Sequence, residues 1–424
     1  MRITINTFGT RGDVQPYIAL GLGLKLSGHT VRIVSHRIFE SFIKAYQLDF
    51  YPIDLDPREV LINQSLAELG NNTLRITRWM KENFRPVLRE IFTETLMANQ
   101  GTELMVNSAL SLAGWHVAEK SNIPAIAAFL WPMTPSRHLF GAIGKLPPTW
   151  LPFKGLINYY STKLFNQLFY NMLLPAVNEC RQEILNLRPM RAREYWDMDA
   201  PQSTTPIIYA YSPIVVPKPP DWGLNQQICG YWFLNTADNY QPPKELSDFL
   251  AGGSPPVYIG FGSMVDHEQE KINLIIINAI AENNCRAILL GGWGKLGSGY
   301  LPDSILRIDA VPHDYLFPRV AIAIHHGGAG TTAAGFRAGI PNIVVPSFGD
   351  QFFWGWQVHK LGVGPKPIPR KRLTIDNLAR AIRQVINDDK VNVKAAGISR
   401  QIQTENGVDF AVGLIEKFAR LGKL

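Results

Sequence analysis

Short apolar runs alternate with amphipathic stretches along the chain, which is the pattern of βαβ units with a parallel sheet. In the first half the pattern predicts strands at Arg2–Phe8, Thr30–Ser35, Leu104–Asn107 and Ala125–Leu130, with helices at Pro16–Ser27 and Leu110–Ser121. Gly28 follows the first helix, where a left-handed C-cap residue is favoured. We therefore expect one doubly wound α/β domain in this half.

A proline-rich stretch separates this half from a second one. Prolines cluster in Val215–Pro220 and again in Gln241–Pro243, and the segment between them has little helical periodicity. The alternation then restarts, with strands predicted at Pro256–Phe261, Ala287–Leu290, Ile305–Asp309, Val320–His325 and Asn342–Pro346 and helices at Glu268–Glu282 and Thr332–Gly339. The predicted domains are residues 1–220 and 221–405, and residues 406–424 form a C-terminal amphipathic helix.

Composition limits the classes of protein. The 424 residues are 46% hydrophobic and 18% charged, which favours two globular domains over a disordered chain. The three cysteines lie far apart, so neither a disulfide framework nor a zinc site is expected. The first residues enter a strand rather than a secretory signal, and no uncharged apolar run reaches the roughly 20 residues that span a bilayer. We expect a cytoplasmic protein that is soluble or peripheral to a membrane.

The chain is basic, with a formal net charge of +7 and a pI of about 9.2. Such a balance suits nucleic acid, an anionic membrane surface or a phosphate-bearing ligand. The sequence has no dense Lys/Arg block interleaved with aromatics and no zinc-finger or RNA-recognition signature. A nucleic-acid partner is therefore not expected.

Residues 136–187 are rich in aromatic side chains with scattered basic residues. An amphipathic segment of this kind can line an apolar pocket or rest on an anionic bilayer, and we predict peripheral membrane contact. An ordinary core helix with long lysine side chains would show the same periodicity. The candidate apolar contacts are Phe140, Trp150, Phe153, Phe165 and Phe169.

The glycine-rich stretch His325–Thr332, HHGGAGTT, directly follows an apolar run and precedes a helical pattern. Glycines at a strand-to-helix turn let backbone N–H groups approach an anion, and the helix N-terminus favours negative charge. Thr331 and Thr332 can cap the helix and donate hydroxyls. This turn is predicted to bind phosphate, although a doubly wound domain also needs glycines there for packing alone.

Two further turns carry carboxylates. Asp13, in Gly9–Pro16, follows the first strand, where open α/β sheets bind their ligands, and it also suits a helix N-cap. Asp350 and Gln351 follow the strand at Asn342–Pro346. Together, a carboxylate and an amide can form hydrogen bonds with neighbouring hydroxyls of a sugar. Asp350 is equally suited to capping the next helix.

Two known phosphate-binding loops do not fit this sequence. Gly294-Lys295 is followed by Leu296 where a P-loop requires Ser or Thr, and no G-x-G-x-x-G follows the first strand.

Taken together, the turns that contain Asp13, His326 and Asp350 resemble those of the family-one inverting glycosyltransferases of GT-B fold. The sterol glucosyltransferases and related bacterial lipid or natural-product enzymes are the most similar branch. The resemblance implies two doubly wound Rossmann-like domains facing a cleft, with the acceptor in the first, the nucleotide sugar in the second and the C-terminal helix packed back on the first.

The resemblance also implies roles for individual residues. His326 and the backbone around Gly330 and Thr331 would contact the diphosphate, and Asp350 and Gln351 would contact the hexose. Ser263 lies in a second phosphate-contacting turn, Trp293 in a glycine-rich turn near the donor, and Val311 in the segment that holds the nucleobase. The complete set of implied donor-binding residues is Gly12, Ser263, Trp293, Val311, His326, Gly328, Ala329, Gly330, Thr331, Asp350 and Gln351.

By the same resemblance, Asp13 is the general base that takes the proton of the acceptor hydroxyl, while the departing diphosphate needs no protonation. The expected reaction transfers a hexose, glucose from UDP-glucose, to an apolar alcohol such as a sterol, forming a β-glycoside without a cofactor or a metal. Plant-type relatives hold the ribose with a Glu where this chain has Ala334, which keeps dTDP open as the nucleotide. The alternatives are a transferase of the same fold that acts on a polyketide, peptide or carotenoid acceptor, a sugar-nucleotide epimerase, and a module that only binds its ligand.

Overall fold

The structure, a computed structural model, describes residues 1–56, 85–139, 152–192, 194, 205–236, 240–262, 269–292, 296–297 and 299–421. The chain divides into two compact units. The N-terminal unit comprises Met1–Pro213, Pro217–Leu234 and Asn406–Leu424. The C-terminal unit comprises Ile214–Val216 and Asn235–Glu405.

Twelve strands lie in the described part of the chain. They are β1 Arg2–Asn6, β2 Thr30–His36, β3 Asp49–Ile53, β4 Leu104–Asn107, β5 Ala125–Phe129, β6 Ile207–Tyr209, β7 Gln226–Ile228, β8 Val257–Gly260, β9 Ala287–Leu290, β10 Ile305–Ile308, β11 Ile322–His325 and β12 Asn342–Val344.

The α-helices of the same residues are α1 Arg11–Leu26, α2 Glu40–Lys44, α3 Arg85–Ala98, α4 Gly114–Ser121, α5 Lys154–Glu183, α6 Lys244–Ala251, α7 Gln269–Glu282, α8 His313–Leu316, α9 Ala329–Ala338, α10 Gln351–Leu361, α11 Ile375–Ile386, α12 Asp389–Ile402 and α13 Gly407–Leu421. No helix among the described residues is both long and apolar enough to cross a bilayer.

The N-terminal unit is built on a parallel sheet of seven strands in the order β3-β2-β1-β4-β5-β6-β7. The strand order reverses between β1 and β4, which is the position where doubly wound sheets open a crevice at the carboxyl ends of their strands. β7 pairs in parallel with β6 although it lies after residue 220, so the sheet of the first unit extends past the predicted boundary. A three-residue strand is too short for its periodicity to reveal which sheet it joins.

The C-terminal helix α13 packs against α1 within the N-terminal unit. The two helices approach closely at Gly23, where an added Cβ would lie 2.3 Å from Cγ1 of Val408. The carboxylate of Glu416 also lies 3.1 Å from Nε2 of His29, just after α1. Residues from opposite ends of the sequence therefore pack together in this unit.

The C-terminal unit contains a parallel sheet of five strands in the order β10-β9-β8-β11-β12. Its core is made of the aliphatic residues of all five strands and of the helices on both faces, including Ile259, Ile324 and Ile276. Strands buried on both faces read as continuous apolar runs, which is why their positions are visible in the sequence. The strand order reverses between β8 and β11, so the turns after these strands meet at one edge of the sheet.

Candidate active site

The turn between β1 and α1 positions Asp13. Gly9 has a φ of +118°, and an added Cβ there would lie 2.6 Å from Oδ2 of Asp13, so only glycine fits this position. Thr10 adopts an extended conformation as the N-cap residue of α1. The helix begins at Arg11 rather than at the predicted Pro16, because Thr10 and Asp13 close a capping box one turn before the proline.

Asp13 uses one of its two carboxylate oxygens for this capping box. Oδ2 accepts hydrogen bonds from the backbone N–H of Thr10 at 2.8 Å and from the Thr10 hydroxyl at 2.9 Å. Oδ1 accepts none from a residue that the structure describes. Burial raises the pKa of the Asp13 carboxyl, and the bonds from Thr10 oppose that rise. A carboxylate with a raised pKa and one available oxygen is suited to accept a proton.

His36, at the end of β2, supports this turn and was not singled out from the sequence. Its Nε2 accepts a hydrogen bond from the backbone N–H of Gly9 at 3.2 Å, and its ring packs edge-on against Phe8. Burial lowers the pKa of His36 to about 4, so the neutral ring keeps a lone pair for Gly9 at neutral pH. The contact joins residues 27 positions apart, and no local pattern in the sequence announces it.

The glycine-rich turn after β11 leads directly into the N-terminus of α9. The helix begins at Ala329 with Gly328 as its N-cap residue, and no side chain caps it. Thr331 and Thr332 are therefore not caps as predicted; Thr332 is buried in the first turn and its hydroxyl donates to the Gly328 carbonyl at 2.9 Å. The first N–H groups of a helix have no partner within it. The backbone of Ala329, Gly330 and Thr331 therefore forms an anion-binding end.

His326 lies between two glycine turns. An added Cβ at Gly328 would lie 2.5 Å from its Nε2, and one at Gly262, after β8, would lie 3.0 Å from its Cε1. The ring thus sits beside the N-terminus of α9. Burial lowers the pKa of His326 to about 4, against a smaller opposing effect of the Gly260 carbonyl, so this imidazole is neutral at pH 7 in the free protein.

His325, its neighbour, is fully buried and serves the turn rather than a ligand. Its Nδ1 accepts from the backbone N–H of Gly327 at 3.0 Å, and its Nε2 lies 2.9 Å from the Asn342 side-chain oxygen. Burial lowers the pKa of His325 to about 3, which keeps the ring neutral and suited to accept on one nitrogen and donate on the other. His325 is thus a hydrogen-bonded core residue, the alternative to a ligand contact that its position beside the glycine-rich turn leaves open.

The turn after β12 brings Asp350 and Gln351 to the N-terminus of α10. Asp350 is the N-cap residue but makes no side-chain cap; its Oδ2 accepts instead from the Trp354 indole N–H at 3.1 Å. Gln351 is buried, and its Oε1 accepts from the backbone of Ser347 at 2.9 Å. No described residue uses the Gln351 side-chain NH₂, which leaves that group to donate to a hydroxyl.

These turns are neighbours in the C-terminal unit. Gly327 has a φ of +93°, and an added Cβ there would lie 2.8 Å from the backbone oxygen of Gln351. On the other side, an added Cβ at Gly292 would lie 2.5 Å from the backbone oxygen of Gly262. The structure therefore brings His326, the N-terminus of α9 and the Asp350-Gln351 turn together at the carboxyl edge of the sheet.

The remaining predicted donor residues differ in their surroundings. Val311 lies before α8 and its side chain packs in the core with Tyr258 and Phe317, so only its backbone can face a ligand. Gly12 is exposed in the first turn of α1 in the N-terminal unit. Ser263 and Trp293 lie outside the described residues. Arg370 was not singled out from the sequence; its guanidinium stacks over the ring of Phe261, which precedes Gly262.

The aromatic segment forms the long helix α5. Phe165 is 56% exposed and Phe169 is 37% exposed on this helix, and Phe153 at its N-cap is 76% exposed. Phe140 and Trp150 lie outside the described residues. The C-terminal part of α5 packs in the core, and Arg181 there is buried with a bidentate bond to Glu119. Arg181 is therefore not part of a basic surface.

Solved structures define the class of fold. The calicheamicin glycosyltransferase CalG4 matches with a TM-score of 0.68 and 18% identity, covering 98% of both chains. The glycosyltransferase VinC, solved with dTDP, matches with a TM-score of 0.66 and 18% identity, covering 99% of this chain and all of that one. The chain has the GT-B fold of these glycosyltransferases, which confirms the predicted fold class.

Sequence comparisons identify the family. The model of the glycosyltransferase family 28 N-terminal domain matches residues 3–139, and that of the erythromycin biosynthesis protein CIII-like C-terminal domain matches residues 291–407. A sterol 3-beta-glucosyltransferase of Neurospora crassa is 38% identical over 98% of this chain, and one of Arabidopsis thaliana is 35% identical over 97%. The chain belongs to the glycosyltransferase family of these sterol 3-beta-glucosyltransferases. It spans 27% of the Neurospora relative and 67% of the Arabidopsis relative.

Proposed function

We propose that the protein transfers glucose from UDP-glucose to the hydroxyl of a sterol or a similar lipid alcohol, with inversion at the anomeric carbon. The observation that carries the proposal is the Asp13 carboxylate, which is anchored through Oδ2 and has Oδ1 available at the carboxyl end of β1. The phosphate-type turn of the C-terminal unit and the names of the curated relatives support it.

In the proposed reaction the acceptor oxygen bonds to the anomeric carbon while the bond from that carbon to the diphosphate oxygen breaks. Asp13 takes the hydroxyl proton through Oδ1, and UDP leaves as an anion. The free N–H groups at the start of α9, with the adjacent His326, stabilise the charge on the departing diphosphate. Asp350 and the Gln351 NH₂ orient the hexose through its hydroxyls.

The testing experiment measures UDP release from UDP-glucose by the purified protein, with and without cholesterol, ergosterol and non-sterol lipid alcohols, with products resolved by mass. Release that depends on a sterol and adds one hexose to it supports the proposal. Release without any acceptor would favour an epimerase. If the protein binds UDP-glucose but shows no turnover with any of the acceptors, a binding module would be favoured.

We also propose that α5 brings the protein to an anionic membrane, from which a lipid acceptor could be taken. The apolar face of the helix is exposed, with Lys154 and Lys163 on the same segment. The exposed apolar side chains are Leu156, Tyr160, Leu164, Phe165, Leu168, Phe169 and Met172. Burying such side chains at a bilayer surface is favourable, and nearby lysines add attraction to anionic lipids.

Flotation with phosphatidylserine-containing vesicles tests the membrane proposal. We expect the wild type to float and the Phe165→Ser, Leu168→Ser double variant to stay in solution. Leu274→Ser is the matched control, since Leu274 is 60% exposed on α7, a helix of the C-terminal unit. A wild type that does not float overturns the proposal, and a double variant that floats but loses sterol turnover would assign the face to the acceptor instead.

A further inference from the structure

The positive charge of the chain is concentrated in one part of the C-terminal unit. The segment from His359 to Arg400 contains ten Lys or Arg residues and three Asp residues, which gives it a formal charge of +7. The whole chain has the same formal charge of +7, so the remainder is neutral. A concentration of one sign of charge on one surface attracts ligands of the opposite sign.

A cavity of about 510 Å³ lies within this segment. It is bordered by the C-terminal end of α10, residues 362–368, α11 and the start of α12. Four cationic side chains line it: Lys366, Arg380, Lys390 and Lys394. Its volume falls in the range of roughly 300–1,000 Å³ that is usual for small-molecule sites.

Four cationic side chains and one carboxylate line this cavity. Within the described part of the chain, none of the four takes part in a salt bridge. Asp388 is the one carboxylate among the described lining residues, and its Oδ1 accepts from the backbone N–H of Lys390, where it caps α12. Four positive charges around one cavity repel each other, and a bound anion relieves that repulsion.

This cavity is separate from the turns assigned to the sugar donor. α10 begins at Gln351, in the predicted hexose-binding turn, and ends at Leu361, beside His359 and Gly362 of the cavity lining. Eleven helical residues rise about 16 Å. A diphosphate at the N-terminus of α9 therefore does not reach these side chains.

We propose that this cavity binds a phosphate-bearing ligand, with its phosphate held among Lys366, Arg380, Lys390 and Lys394. The ligand is a dissolved phosphate ester or the headgroup of a phosphorylated lipid, which present the same chemistry to the cavity. Arginine and lysine are the side chains that bind phosphate oxygens by charge-assisted hydrogen bonds. The site is independent of the glycosyl-transfer reaction proposed above.

The test titrates the full chain with inorganic pyrophosphate by calorimetry. The Arg380→Gln, Lys394→Gln double variant removes two charges from the cavity. The Arg383→Gln, Arg400→Gln double variant is the matched control, because it removes two arginines from the same two helices outside the lining. Since the predicted donor turn is unchanged in both, a difference between them reports the cavity. We expect about fivefold weaker binding per cavity charge removed, and little change in the control.

Vesicles separate the two sources of the phosphate. The same proteins are mixed with phosphatidylcholine vesicles with and without phosphatidylinositol phosphate. Retention that requires the phosphorylated lipid and is lost in the cavity variant alone identifies a headgroup, whereas pyrophosphate binding without vesicle retention identifies a dissolved ligand. The proposal is overturned if neither probe binds saturably, or if the cavity variant and the control lose binding equally.

Discussion

Thr10 gives both of its donors to a single oxygen of Asp13. The backbone N–H and the hydroxyl reach Oδ2 at 2.8 and 2.9 Å, while Oδ1 accepts no hydrogen bond from a described residue. From the sequence, helix capping and proton abstraction are competing roles for this carboxylate. In the structure the capping bonds occupy Oδ2 alone, so capping leaves Oδ1 available for the proposed proton transfer.

Asp13→Asn separates these two roles. An asparagine can place its side-chain oxygen where Oδ2 lies and keep both bonds from Thr10, but its NH₂ cannot accept a proton. We expect sterol-dependent UDP release to fall by about 10²- to 10⁴-fold, with a thermal midpoint close to that of the wild type. Initial rates and calorimetry measure the two quantities. Turnover within a few fold of the wild type would remove Asp13 as the base.

Asp13→Ala is the companion variant, since it removes the cap as well as the base. We expect the same loss of turnover together with about 0.5–2 kcal/mol of lost stability. A turnover loss in Asp13→Ala alone would mean that the carboxylate acts only by holding α1 in place.

The glycines of the β11–α9 turn give a second pair of predictions. A Cβ at Gly327, with its φ of +93°, would lie 2.6 Å from Cγ1 of Val344, so Gly327→Ala should destabilise the C-terminal unit by more than about 1 kcal/mol. A Cβ at Gly330 meets nothing within 4 Å, and alanine is preferred inside a helix. Gly330→Ala should therefore raise stability by about 0.5–1 kcal/mol.

UDP affinity, measured by calorimetry, distinguishes packing from binding in this turn. Gly330→Ala should weaken UDP binding despite its higher stability, because the methyl group projects at the N-terminus of α9. Gly413→Ala in α13 is the control: it too meets nothing within 4 Å, and it should raise stability without changing UDP binding. Unchanged UDP affinity in Gly330→Ala would place the diphosphate elsewhere.

The apolar runs predict all five strands of the C-terminal sheet but only four of the seven in the N-terminal sheet, where β3, β6 and β7 are not predicted. Buried parallel strands carry a strong local signal, but β6 and β7 have three residues each and β3 is only partly buried. Helix starts are less accurate: α1 begins at Arg11 and α9 at Ala329, before the predicted Pro16 and Thr332. A capping box begins α1 and a glycine N-cap residue begins α9, and both lie before the first residues of the apolar periodicity. Hydrophobic periodicity, which is the signal used to predict these helices, does not detect glycines or capping residues.

The supporting contacts of the candidate site were not predictable in the same way. His36 reaches Gly9 across 27 residues, and His325 reaches Asn342 across 17. Each bond depends on which strands become neighbours, and neither histidine stands in a local motif that reveals its partner. The sequence therefore indicated the candidate ligand-binding side chains more readily than the side chains that hold the turns in place.

Buried histidines predict a stability that depends on pH. Burial lowers the pKa of His36 and His326 to about 4 and that of His116 and His325 to about 3. The unfolded chain protonates them near pH 6.5, so below that pH it binds more protons than the folded chain. Stability should fall from pH 6.5 to 4, by at most about 1.4 kcal/mol per pH unit for each histidine. Urea unfolding at pH 7, 6 and 5 measures this, and a flat profile would contradict it.

Two Arg–Glu pairs allow a direct comparison of burial. Arg181 is 1% exposed and donates at 2.6 and 2.9 Å to Glu119, whereas Arg188 pairs with Glu194 at the surface. Arg181 also donates from its Nε to the Arg188 carbonyl, so its guanidinium is enclosed between α4 and the segment that follows α5.

Glu119→Gln should therefore cost much more stability than Glu194→Gln. Removing one partner of a buried pair leaves an uncompensated charge, which costs about 3–5 kcal/mol when both partners are enclosed. Because the Glu119 side chain is 45% exposed, we expect about 2–3 kcal/mol for Glu119→Gln. Glu194→Gln, at the exposed pair, should leave the urea midpoint within experimental error. Equal shifts in the two variants would mean that water reaches Arg181 and that the pair does not fasten α5 to the N-terminal unit.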